Sequence, residues 1–373
     1  MRVAIVTESF LPRVNGVTNS VLRVVEHLRD RGHDAMVVAP GASGPTRYLH
    51  APVHRVRAID LPRITNFPIG VPSPKVHSAL AAFAPDVVHL ASPFVLGAAG
   101  LRSARRLGIP TVAVYQTDVA GFAAAYGLRH GARAAWRWIR RLHAAADRTL
   151  APSLASVHDL ATHGVPRVHR WARGVDIERF APWHADLRLR QRLAPHGELL
   201  VGYVGRLAPE KHLHRLATLH GLPGVRVVVV GEGPVEPTLR RLLPNAAFLG
   251  FRTGDELATA YASLDVFVHP GPHETFCQAV QEAMASGLPV VAPDSGGPRD
   301  LIETNRTGFL IEPHDDLRFA GELWSTVEQL RNPAPRRRIG LAARDSVLSR
   351  TWPAVCDELL GHYHQVSAAM LAA

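Results

Sequence analysis

The chain has 373 residues, of which 47% are hydrophobic and 20% are charged, and its formal net charge is +10. This length supports two domains of ordinary size, each with its own core. No apolar run approaches the ~18 residues of a membrane-spanning helix, and the N-terminus reads as a strand and not as a signal peptide. Two cysteines, Cys277 and Cys356, are too few for a disulfide framework, which favours the reducing cytoplasm.

The positive charge is concentrated in the first half of the chain. Residues 1–170 contain 21 Lys/Arg against 9 Asp/Glu, whereas residues 171–373 contain 21 against 23. A basic half favours an acidic partner, such as an anionic membrane surface or a phosphorylated acceptor. Nucleic acid is not expected as a partner, because no zinc-finger spacing, aromatic RNP-type motif or helix-turn-helix pattern is present. We interpret most of the 21 histidines as surface residues.

Alternating strand and helix patterns in the first half predict a parallel α/β domain. Asn15-Gly16 precedes the first helix, where the pair either lets the backbone approach a phosphate or sugar closely or forms a plain turn. The proline-rich residues 59–75 predict a long surface loop, not a sheet element, that serves as a lid on the acceptor side. The predicted strands are 2–7, 35–39, 86–90, 111–115, 149–151 and 168–171, and the predicted helices are 17–31, 94–107, 129–146 and 153–163.

Two further features of the first half attract attention. Strand 111–115 leads into Gln116-Thr117-Asp118, at the carboxyl end of the sheet, where catalytic groups of such sheets collect. The helix over 129–146 combines five arginines and His143 with Trp136, Trp138 and Ile139. Such a helix can lie on an anionic bilayer. We favour the alternative, in which its tryptophans pack on the sheet.

A second domain is predicted after the segment ARGVDIERFAPW (172–183), which has turn chemistry and no helical period. The two halves then form doubly wound parallel-sheet domains facing a cleft. A last helix is predicted over 352–371. The other predicted elements of the second half are strands 199–204, 225–230, 246–249, 265–269 and 289–292 and helices 210–220, 235–243, 253–263 and 275–286.

The segment 265–297 carries two carboxylates at the ligand-binding end of the predicted sheet. Glu274 ends a loop, and Glu282 lies eight residues on, about 12 Å along a helix at ~1.5 Å per residue. They are too far apart to share one reacting atom, but they can hold the two ends of a long ligand, with the amides around Thr275–Cys277 as an anion site between them. The alternative is a helix that merely begins with one Glu and exposes another. We interpret Cys277 as a small buried residue and not as a nucleophile.

Two cations follow the first strand of the second half. Arg206 lies in the strand-to-helix loop, and Lys211 falls in the first turn of the predicted helix, where a cation is disfavoured unless an anion lies ahead of it. Arginine can hold phosphate oxygens bidentately while lysine acts as a point charge. The alternative is a surface pair between Arg206 and Glu210. The chain has no Asp-x-Asp motif for a metal–diphosphate complex, so these cations would stabilise a departing diphosphate without a metal.

Together these motifs resemble the retaining nucleotide-sugar glycosyltransferases of family 4, which have the GT-B fold. The resemblance extends over the whole chain and rests on Asn15–Val17, Gly205-Arg206 with Pro209-Glu210-Lys211, the Glu274/Glu282 pair and Gly296-Gly297. The segments TESFLPRVNGVTNSVLRVVEHL, VYQTDVAGFA, GRLAPEKH and HPGPHETFCQAVQEAMASG are most similar to actinobacterial GDP-mannose-dependent α-mannosyltransferases that build lipid-linked mannosides.

The resemblance implies roles for both domains. Residues 1–172, with helix 352–371 packed back on them, would bind the acceptor, and residues 173–351 would bind the nucleotide-sugar donor. Arg206 and Lys211 would hold the diphosphate, Glu282 the ribose and Glu274 the sugar, with donor contacts from Gly16, Gln116, Gly205, Phe276 and Cys277.

The resemblance also implies a mechanism and its limits. The leaving phosphate oxygen would take the acceptor proton, so no protein nucleophile is needed. Many relatives carry His where this chain has Gln116, and an amide cannot act as a general base; Asp118 would orient the acceptor. We therefore predict a metal-independent glycosyltransferase that uses GDP-mannose and acts on a lipid or other hydroxyl acceptor, in the cytoplasm or on the inner face of the plasma membrane.

Three alternatives remain open from the sequence. One is transfer from a UDP-sugar to a small natural-product acceptor, because nothing in the spacing selects guanine over uracil. Another is a sugar-nucleotide epimerase on the same two-domain fold. The third is a non-catalytic basic protein recruited to acidic lipid.

Overall fold

The computed structural model of the protein describes residues 1–41, 43–59, 69–117 and 129–372. The chain divides into two compact units. The first unit contains Met1–Arg173 and Trp352–Ala373, and the second contains Gly174–Thr351. The division follows Arg173, one residue after the junction expected from the turn-forming segment. Asp118 and most of the predicted lid over 59–75 lie outside the described residues.

The first unit is built on an eight-stranded sheet flanked by helices. Its buried strands are runs of Val, Ile and Ala, the composition of a parallel sheet that is covered on both faces. The strands of this unit are β1 (Arg2–Thr7), β2 (Asp34–Pro40), β3 (Arg47–Tyr48), β4 (Ala51–Val56), β5 (Ala58–Ile59), β6 (Ile69–Gly70), β7 (Val87–Ala91), β8 (Thr111–Val114), β9 (Arg148–Ala151) and β10 (Val168–Arg170). The helices are α1 (Gly16–Asp30), α2 (Pro74–Phe83), α3 (Val95–Arg106), α4 (Arg129–Ala145) and α5 (Leu154–Thr162).

The strand order of the first sheet is β10-β9-β8-β7-β1-β2-β4-β3. All neighbours are parallel except β3, which pairs antiparallel with β4 at the edge. The chain therefore starts in the middle of the sheet at β1, builds outward to β4, and returns to β7 on the other side of β1. This reversal creates a topological switch point between β1 and β7, where open α/β sheets bind ligands.

The second unit has a six-stranded sheet in the order β13-β12-β11-β14-β15-β16, with every neighbouring pair parallel. This is the strand order of a dinucleotide-binding fold, with its switch point between β11 and β14. The strands are β11 (Leu199–Val204), β12 (Val225–Val230), β13 (Ala247–Gly250), β14 (Val266–Val268), β15 (Val290–Pro293) and β16 (Gly308–Ile311). The helices are α6 (Leu187–Leu193), α7 (Glu236–Leu242), α8 (Gly254–Ala262), α9 (Gln278–Ala285), α10 (Pro298–Leu301), α11 (Asp316–Gln329) and α12 (Pro333–Val347).

The C-terminal helix α13 (Trp352–Leu371) returns to the first unit. Its buried side chains Val355, Leu359 and Tyr363 belong to the same apolar core as β1 and α1. The Trp171 indole Nε1 donates a hydrogen bond of 2.7 Å to the Val355 carbonyl. The helix completes the apolar cover of the first sheet. Among the described residues, no helix has the length and apolar character needed to cross a membrane.

Three local predictions are wrong. The predicted helix over 210–220 is two 3₁₀ segments, Pro209–Lys211 and Leu213–Leu219, separated by His212 in a left-handed conformation (φ 50°). The predicted helix over 275–286 begins at Gln278, because Cys277 before it is also left-handed (φ 73°). Within the predicted loop 59–75, the described ends do form a sheet element: β5 and β6 pair as a short antiparallel ladder, and α2 begins at Pro74.

Candidate active site

The candidate site of the second unit lies at its switch point. The strands β11 and β14 are neighbours, joined through Val201–Val266 and Gly202–Phe267. Parallel neighbours end at the same edge of the sheet, so the loop that follows β11 and the loop that follows β14 emerge side by side. The first loop carries Gly205, Arg206 and Lys211, and the second carries the segment 269–277.

An ion pair joins these two loops. The Lys211 ammonium contacts the Glu274 carboxylate, and each side chain is less than one-fifth exposed. Burial lowers the pKa of Lys211, but the Glu274 carboxylate outweighs it, so the net pKa is raised. Burial raises the pKa of Glu274, but Lys211 and His269 outweigh it and hold that pKa well below its usual range. Both groups are therefore charged at neutral pH, and His269 Nε2 lies 3.3 Å from Glu274 Oε1.

Arg206 is held at the same edge by Glu210, four residues further on. The surface pair offered as an alternative from the sequence does form, but it is not a pair of two exposed groups. The Arg206 side chain is 44% exposed, whereas the Glu210 side chain is 1% exposed. Glu210 is thus a buried anchor that holds an accessible guanidinium in place. The Tyr203 hydroxyl also donates a hydrogen bond of 3.0 Å to the Arg206 carbonyl.

The buried side chain of Tyr203 lies close to residues of both loops. Its ring stacks against His269 at 6.3 Å between centroids. Burial raises the pKa of Tyr203, the charges of Glu274 and Glu210 raise it further, and Arg206 lowers it. Both acids and the guanidinium therefore lie close enough to this one buried phenol to change its pKa.

Close backbone packing requires glycine around the loop that carries Arg206 and Lys211. Gly205 has φ 151°, and a Cβ there would lie 2.7 Å from the Tyr203 hydroxyl. A Cβ on Gly231 would lie 2.0 Å from the Gly205 carbonyl oxygen, and one on Gly233 would lie 2.3 Å from the Leu207 carbonyl oxygen. The Gly231–Gly233 turn after β12 therefore supports the loop that presents Arg206.

A second pair of glycines supports the Glu274 loop. A Cβ on Gly296 would lie 2.3 Å from the Glu274 carbonyl oxygen, and one on Gly297 would lie 2.1 Å from the Phe276 carbonyl oxygen. The Gly297 amide donates a hydrogen bond of 2.8 Å to the Glu274 carbonyl. The turn after β15 thus fixes the backbone that carries Glu274 and Phe276, which explains why two consecutive glycines are needed there.

Cys277 lies between the two carboxylates of the predicted pair. Burial raises the pKa of the Cys277 thiol, and the charges of both Glu274 and Glu282 raise it further, so both acids lie within electrostatic reach of this residue. Cysteine attacks as a thiolate, and a buried thiol with a raised pKa is inert. The interpretation of Cys277 as a buried structural residue fits this environment.

Glu282 occupies the middle of α9. Its Oε2 accepts a hydrogen bond of 3.2 Å from the Tyr261 hydroxyl. Burial raises the pKa of Glu282 to about 7, although the hydrogen bonds from Tyr261 and Gln278 lower it. The carboxyl group is therefore poised between its charged and neutral forms at neutral pH, and in either form it can hydrogen-bond a hydroxyl group.

The predicted site residues of the first unit meet at the carboxyl edge of its own sheet. Gln116 is buried after β8, and its Oε1 accepts a hydrogen bond of 2.6 Å from the Arg173 guanidinium. The same guanidinium donates a hydrogen bond of 2.7 Å to the Gly16 carbonyl. Asn15 caps α1, its side chain accepting from the amides of Val17 and Thr18. Gly16 and Gln116, 100 residues apart in the chain, are therefore joined through one arginine.

Arg173 and Glu8 are two residues of these edges that sequence reasoning missed. The buried Glu8 carboxylate follows β1, and its Oε1 accepts hydrogen bonds of 2.8 Å from the amides of Phe94 and Gly97 at the start of α3, where no side chain of α3 caps the helix. Burial raises the pKa of Glu8 to about 7, against the effect of these backbone hydrogen bonds. The available signal was an acid directly after a buried strand, but its partner lies 86 residues away.

The tryptophans of α4 face inward, as favoured from the sequence. Trp136 stacks on His163 with ring centroids 3.7 Å apart and planes 8° apart, and it also stacks on Tyr115. Trp138 is packed against the core that contains Leu142. The arginines of α4 point outward: Arg133, Arg137, Arg140 and Arg141 are all exposed.

Metal ligation at the edge of the second sheet is disfavoured by its donor set. Among the described residues, donor atoms of His269, Glu274 and Cys277 lie within 4.8 Å of one another. Glu274 is already neutralised by Lys211, and Cys277 is a protonated thiol, whereas metal binding needs the thiolate. The absence of a metal requirement stays a prediction.

Comparisons with known proteins agree with this architecture. Residues 14–179 match the sequence model "Glycosyltransferase Family 4", and residues 186–345 match "Glycosyl transferases group 1". The chain is 57% identical over 371 residues to a GDP-mannose-dependent α-mannosyltransferase of Mycolicibacterium smegmatis, covering 98% of each chain. It is 49% identical to the Corynebacterium glutamicum protein of the same name, covering 99% of this chain and 90% of that one. It is 36% identical to a sulfoquinovosyl transferase of Arabidopsis thaliana, covering 96% and 71%.

Solved structures share the fold at low sequence identity. Sucrose-phosphate synthase from Thermosynechococcus elongatus has a TM-score of 0.81 at 20% identity, and 99% of each chain is covered. The Anabaena HepE protein, solved in complex with UDP-glucose, has a TM-score of 0.78 at 22% identity, with coverage of 98% and 100%. With two doubly wound parallel sheets and relatives that match nearly end to end, this chain belongs to glycosyltransferase family 4 and is a glycosyltransferase of the GT-B fold.

Proposed function

We propose that this protein transfers mannose from GDP-mannose, with retention of configuration and without a metal, to a lipid, glycolipid or other hydroxyl acceptor. The donor is supported by relatives named GDP-mannose-dependent α-mannosyltransferases, which are 57% and 49% identical over nearly the whole chain. The observation that carries the site is the buried Lys211–Glu274 pair at the switch point of the second sheet. Removing two charges from water costs free energy that their attraction does not always offset. A stabilising role alone therefore explains this buried ion pair poorly.

The cations of this edge are assigned to the diphosphate. Arg206 has an accessible guanidinium on a buried anchor, which suits bidentate contact with phosphate oxygens. Lys211 supplies a compact point charge beside it. As the glycosidic bond breaks, negative charge grows on the leaving phosphate, and fixed cations stabilise it without reorganising. Removal of one such contact costs about 3 kcal/mol of transition-state stabilisation.

The acids and backbone groups are assigned to the two ends of the donor. We assign Glu274 to the sugar hydroxyls, where it stays ionised and accepts hydrogen bonds. Glu282 is assigned to the ribose hydroxyls. The Phe276 and Cys277 amides and the Gly205 backbone complete the contacts from the second unit. Gly16 and Gln116 remain predicted donor contacts from the first unit.

The proposed chemistry uses no nucleophile of the protein. Cys277 is a buried thiol, and Gln116 cannot take a proton, so neither can form a covalent intermediate or act as a base. The leaving phosphate oxygen would accept the proton of the acceptor hydroxyl, and the acceptor would attack from the same face. Asp118 keeps its predicted role of orienting the acceptor.

The acceptor side is proposed from charge. The exposed arginines of α4 form a basic surface on the first unit, and this unit as a whole carries the excess positive charge. Such a surface favours an anionic membrane or an acidic lipid acceptor. Vesicle co-sedimentation tests this part alone: binding to anionic but not neutral vesicles, lost when the four exposed α4 arginines become glutamine, is expected.

The proposed function is tested by transfer assays with radiolabelled GDP-mannose. Labelled product is expected with a lipid extract in the presence of EDTA and is not expected with UDP-glucose as the donor. Lys211→Ala serves as the inactive control, and Lys75→Ala, at an exposed position of the first unit, serves as the matched active one. Transfer from UDP-glucose alone, or conversion of the free nucleotide sugar without an acceptor, would contradict the proposal.

A further inference from the structure

A second cluster of polar side chains lies beside the candidate active site and has no part in the proposed transfer. His212 and His214 flank the start of the second 3₁₀ segment, and Asp316 begins α11, about 100 residues further along the chain. One donor atom of each of these three residues lies within 4.8 Å of the others. The rings of His212 and His214 are 5.8 Å apart, and the ring of His273 lies 6.0 Å from that of His212.

We propose that His212, His214 and Asp316 form a binding site for Zn²⁺. Two imidazoles and one carboxylate are ligands that zinc takes in proteins, with a fourth position for water or a further side chain. This site is independent of the proposed transfer reaction, because none of the three residues is assigned to the donor.

The present distances are close to those of a zinc centre. Ligand atoms around a tetrahedral ion with bonds of about 2.0 Å lie about 3.3 Å apart. His214 Nε2 and Asp316 Oδ2 are already 3.2 Å apart. A donor nitrogen of His212 lies within 4.8 Å of both atoms, so a movement of this side chain toward them would complete the face. Both His214 and Asp316 are more than half exposed, so an ion can enter without local unfolding.

The carboxylate is oriented for this purpose by a buried arginine. Arg215 Nε donates a hydrogen bond of 2.8 Å to Asp316 Oδ1, and the rest of its guanidinium is held by the Pro270 and Pro313 carbonyls. One carboxylate oxygen is therefore fixed from behind, and Oδ2 is turned toward His214. Partners of this kind, which hold a metal ligand in place, are a regular feature of metal sites.

The backbone of His212 is left-handed (φ 50°), a conformation that histidine adopts more often than most residues with a Cβ. A glycine there would keep the turn between the two 3₁₀ segments, so the imidazole can be removed without straining the backbone.

The test is a Zn²⁺ titration of the tag-free full chain after treatment with a chelator, followed by calorimetry. We expect one equivalent to bind, with the dissociation constant raised about 100-fold or more in His212→Gly and in His214→Ala. His212→Gly keeps the left-handed turn without strain, so a folding defect cannot explain its loss of binding. The control is His220→Ala, which removes an exposed histidine of the same unit outside the cluster.

Co²⁺ absorption spectroscopy provides the second measurement. Bound Co²⁺ is expected to show the ligand-field bands of a site with imidazole ligands, and both cluster variants are expected to lose them while His220→Ala keeps them. The proposal is overturned if the wild-type chain binds no equivalent of Zn²⁺, or if binding is unchanged in His212→Gly and His214→Ala.

Discussion

Buried charged groups at the carboxyl edges of the two sheets have different kinds of partner. At the edge of the second sheet, Arg206 pairs with Glu210, four residues away, and Lys211 pairs with Glu274, 63 residues away. At the edge of the first sheet, the buried acid Glu8 accepts only backbone hydrogen bonds among its described contacts. The buried cation Arg173 there contacts neutral oxygens of Gly16 and Gln116 in its described hydrogen bonds.

This difference separates two tasks. The second edge keeps its cations charged beside acids, and an arriving phosphate can compete for them because the Arg206 guanidinium is accessible. The first edge uses its charged groups to hold backbone and amide groups in place. We therefore expect substitutions at the second edge to affect the transition state and substitutions at the first edge to affect geometry and stability.

The composition of the chain sharpens the assignment of Lys211. Of the 42 basic residues, only Lys75 and Lys211 are lysines. Lys75 is exposed, whereas Lys211 is largely buried in the site. The compact ammonium of lysine, rather than the planar guanidinium that the chain uses at most basic positions, fits this largely buried pair with Glu274.

The largest effect is expected from Lys211→Ala, which leaves Glu274 buried without its cation and removes a charge from the diphosphate. The rate of mannose transfer should fall about 10³-fold. Lys211→Arg should restore only part of it, because a planar guanidinium does not fit the space of an ammonium. Initial rates at saturating donor check this, with Lys75→Ala as the control. Wild-type turnover in Lys211→Ala would contradict the assigned site.

Arg206→Ala should reduce transfer about 100-fold. Glu210→Gln should have a smaller effect, about tenfold, since the guanidinium is retained but loses its buried anchor. The two variants together test whether Glu210 acts through Arg206. In the double variant the two losses in the rate of transfer should not add, because Glu210 has no effect once the Arg206 guanidinium that it holds is removed. Additive losses in kcat/KM would show that the two residues act separately.

Arg173→Met should raise the KM for the donor about tenfold and leave kcat within about twofold, because it frees Gln116 and the Gly16 loop without touching the cations of the second unit. Arg173→Lys can serve only one of the two acceptors at a time and should give an intermediate KM. Steady-state kinetics with Arg106→Met, at an exposed position, as the control check this. A fall in kcat with no change in the KM for the donor would contradict a positioning role.

Glu8→Gln should leave transfer nearly unchanged but alter the pH dependence of stability. The folded pKa of Glu8 is raised from 4.5 to about 7, so its contribution to stability is present below pH 4.5 and is lost as the pH rises through 7. Relative to Glu8→Gln, the wild-type free energy of unfolding should therefore fall by about 3 kcal/mol between pH 4 and pH 8. Urea denaturation at both pH values checks this. A constant difference would show that Glu8 is not buried as an acid.

Local patterns predicted five of the six strands of the second sheet, and only β16 was not predicted. The strands 199–204 and 225–230 are observed with the predicted bounds, because each is a largely apolar run that is followed by glycine. The helix over 352–371 is also observed as predicted. Arg206, Lys211, Glu274 and Glu282 were singled out because they lie in the loops and the helix that follow buried strands of a parallel sheet, and their roles stay predictions.

Three features that escaped prediction depend on contacts between distant segments or on a rare backbone conformation. The first turn expected before Gln278 is absent because Cys277 is left-handed and the backbone of Phe276 packs on Gly297, more than 20 residues away. In the sequence Arg173 is an ordinary residue of a turn-forming segment, and only the folded structure brings Gln116 beside it. The helix after Lys211 is broken at the left-handed His212, and although histidine is enriched in that conformation, it adopts it too rarely for the break to be predicted.

The central claim is that Lys211 and Arg206 hold the diphosphate of the donor, and calorimetric titration with GDP and GMP tests it most directly. The wild-type chain should prefer GDP, and Lys211→Ala should weaken GDP binding about 100-fold while changing GMP binding by less than about threefold. Lys75→Ala should match the wild type. If Lys211→Ala weakens both nucleotides equally, or neither, the cations do not read the second phosphate and the account is wrong.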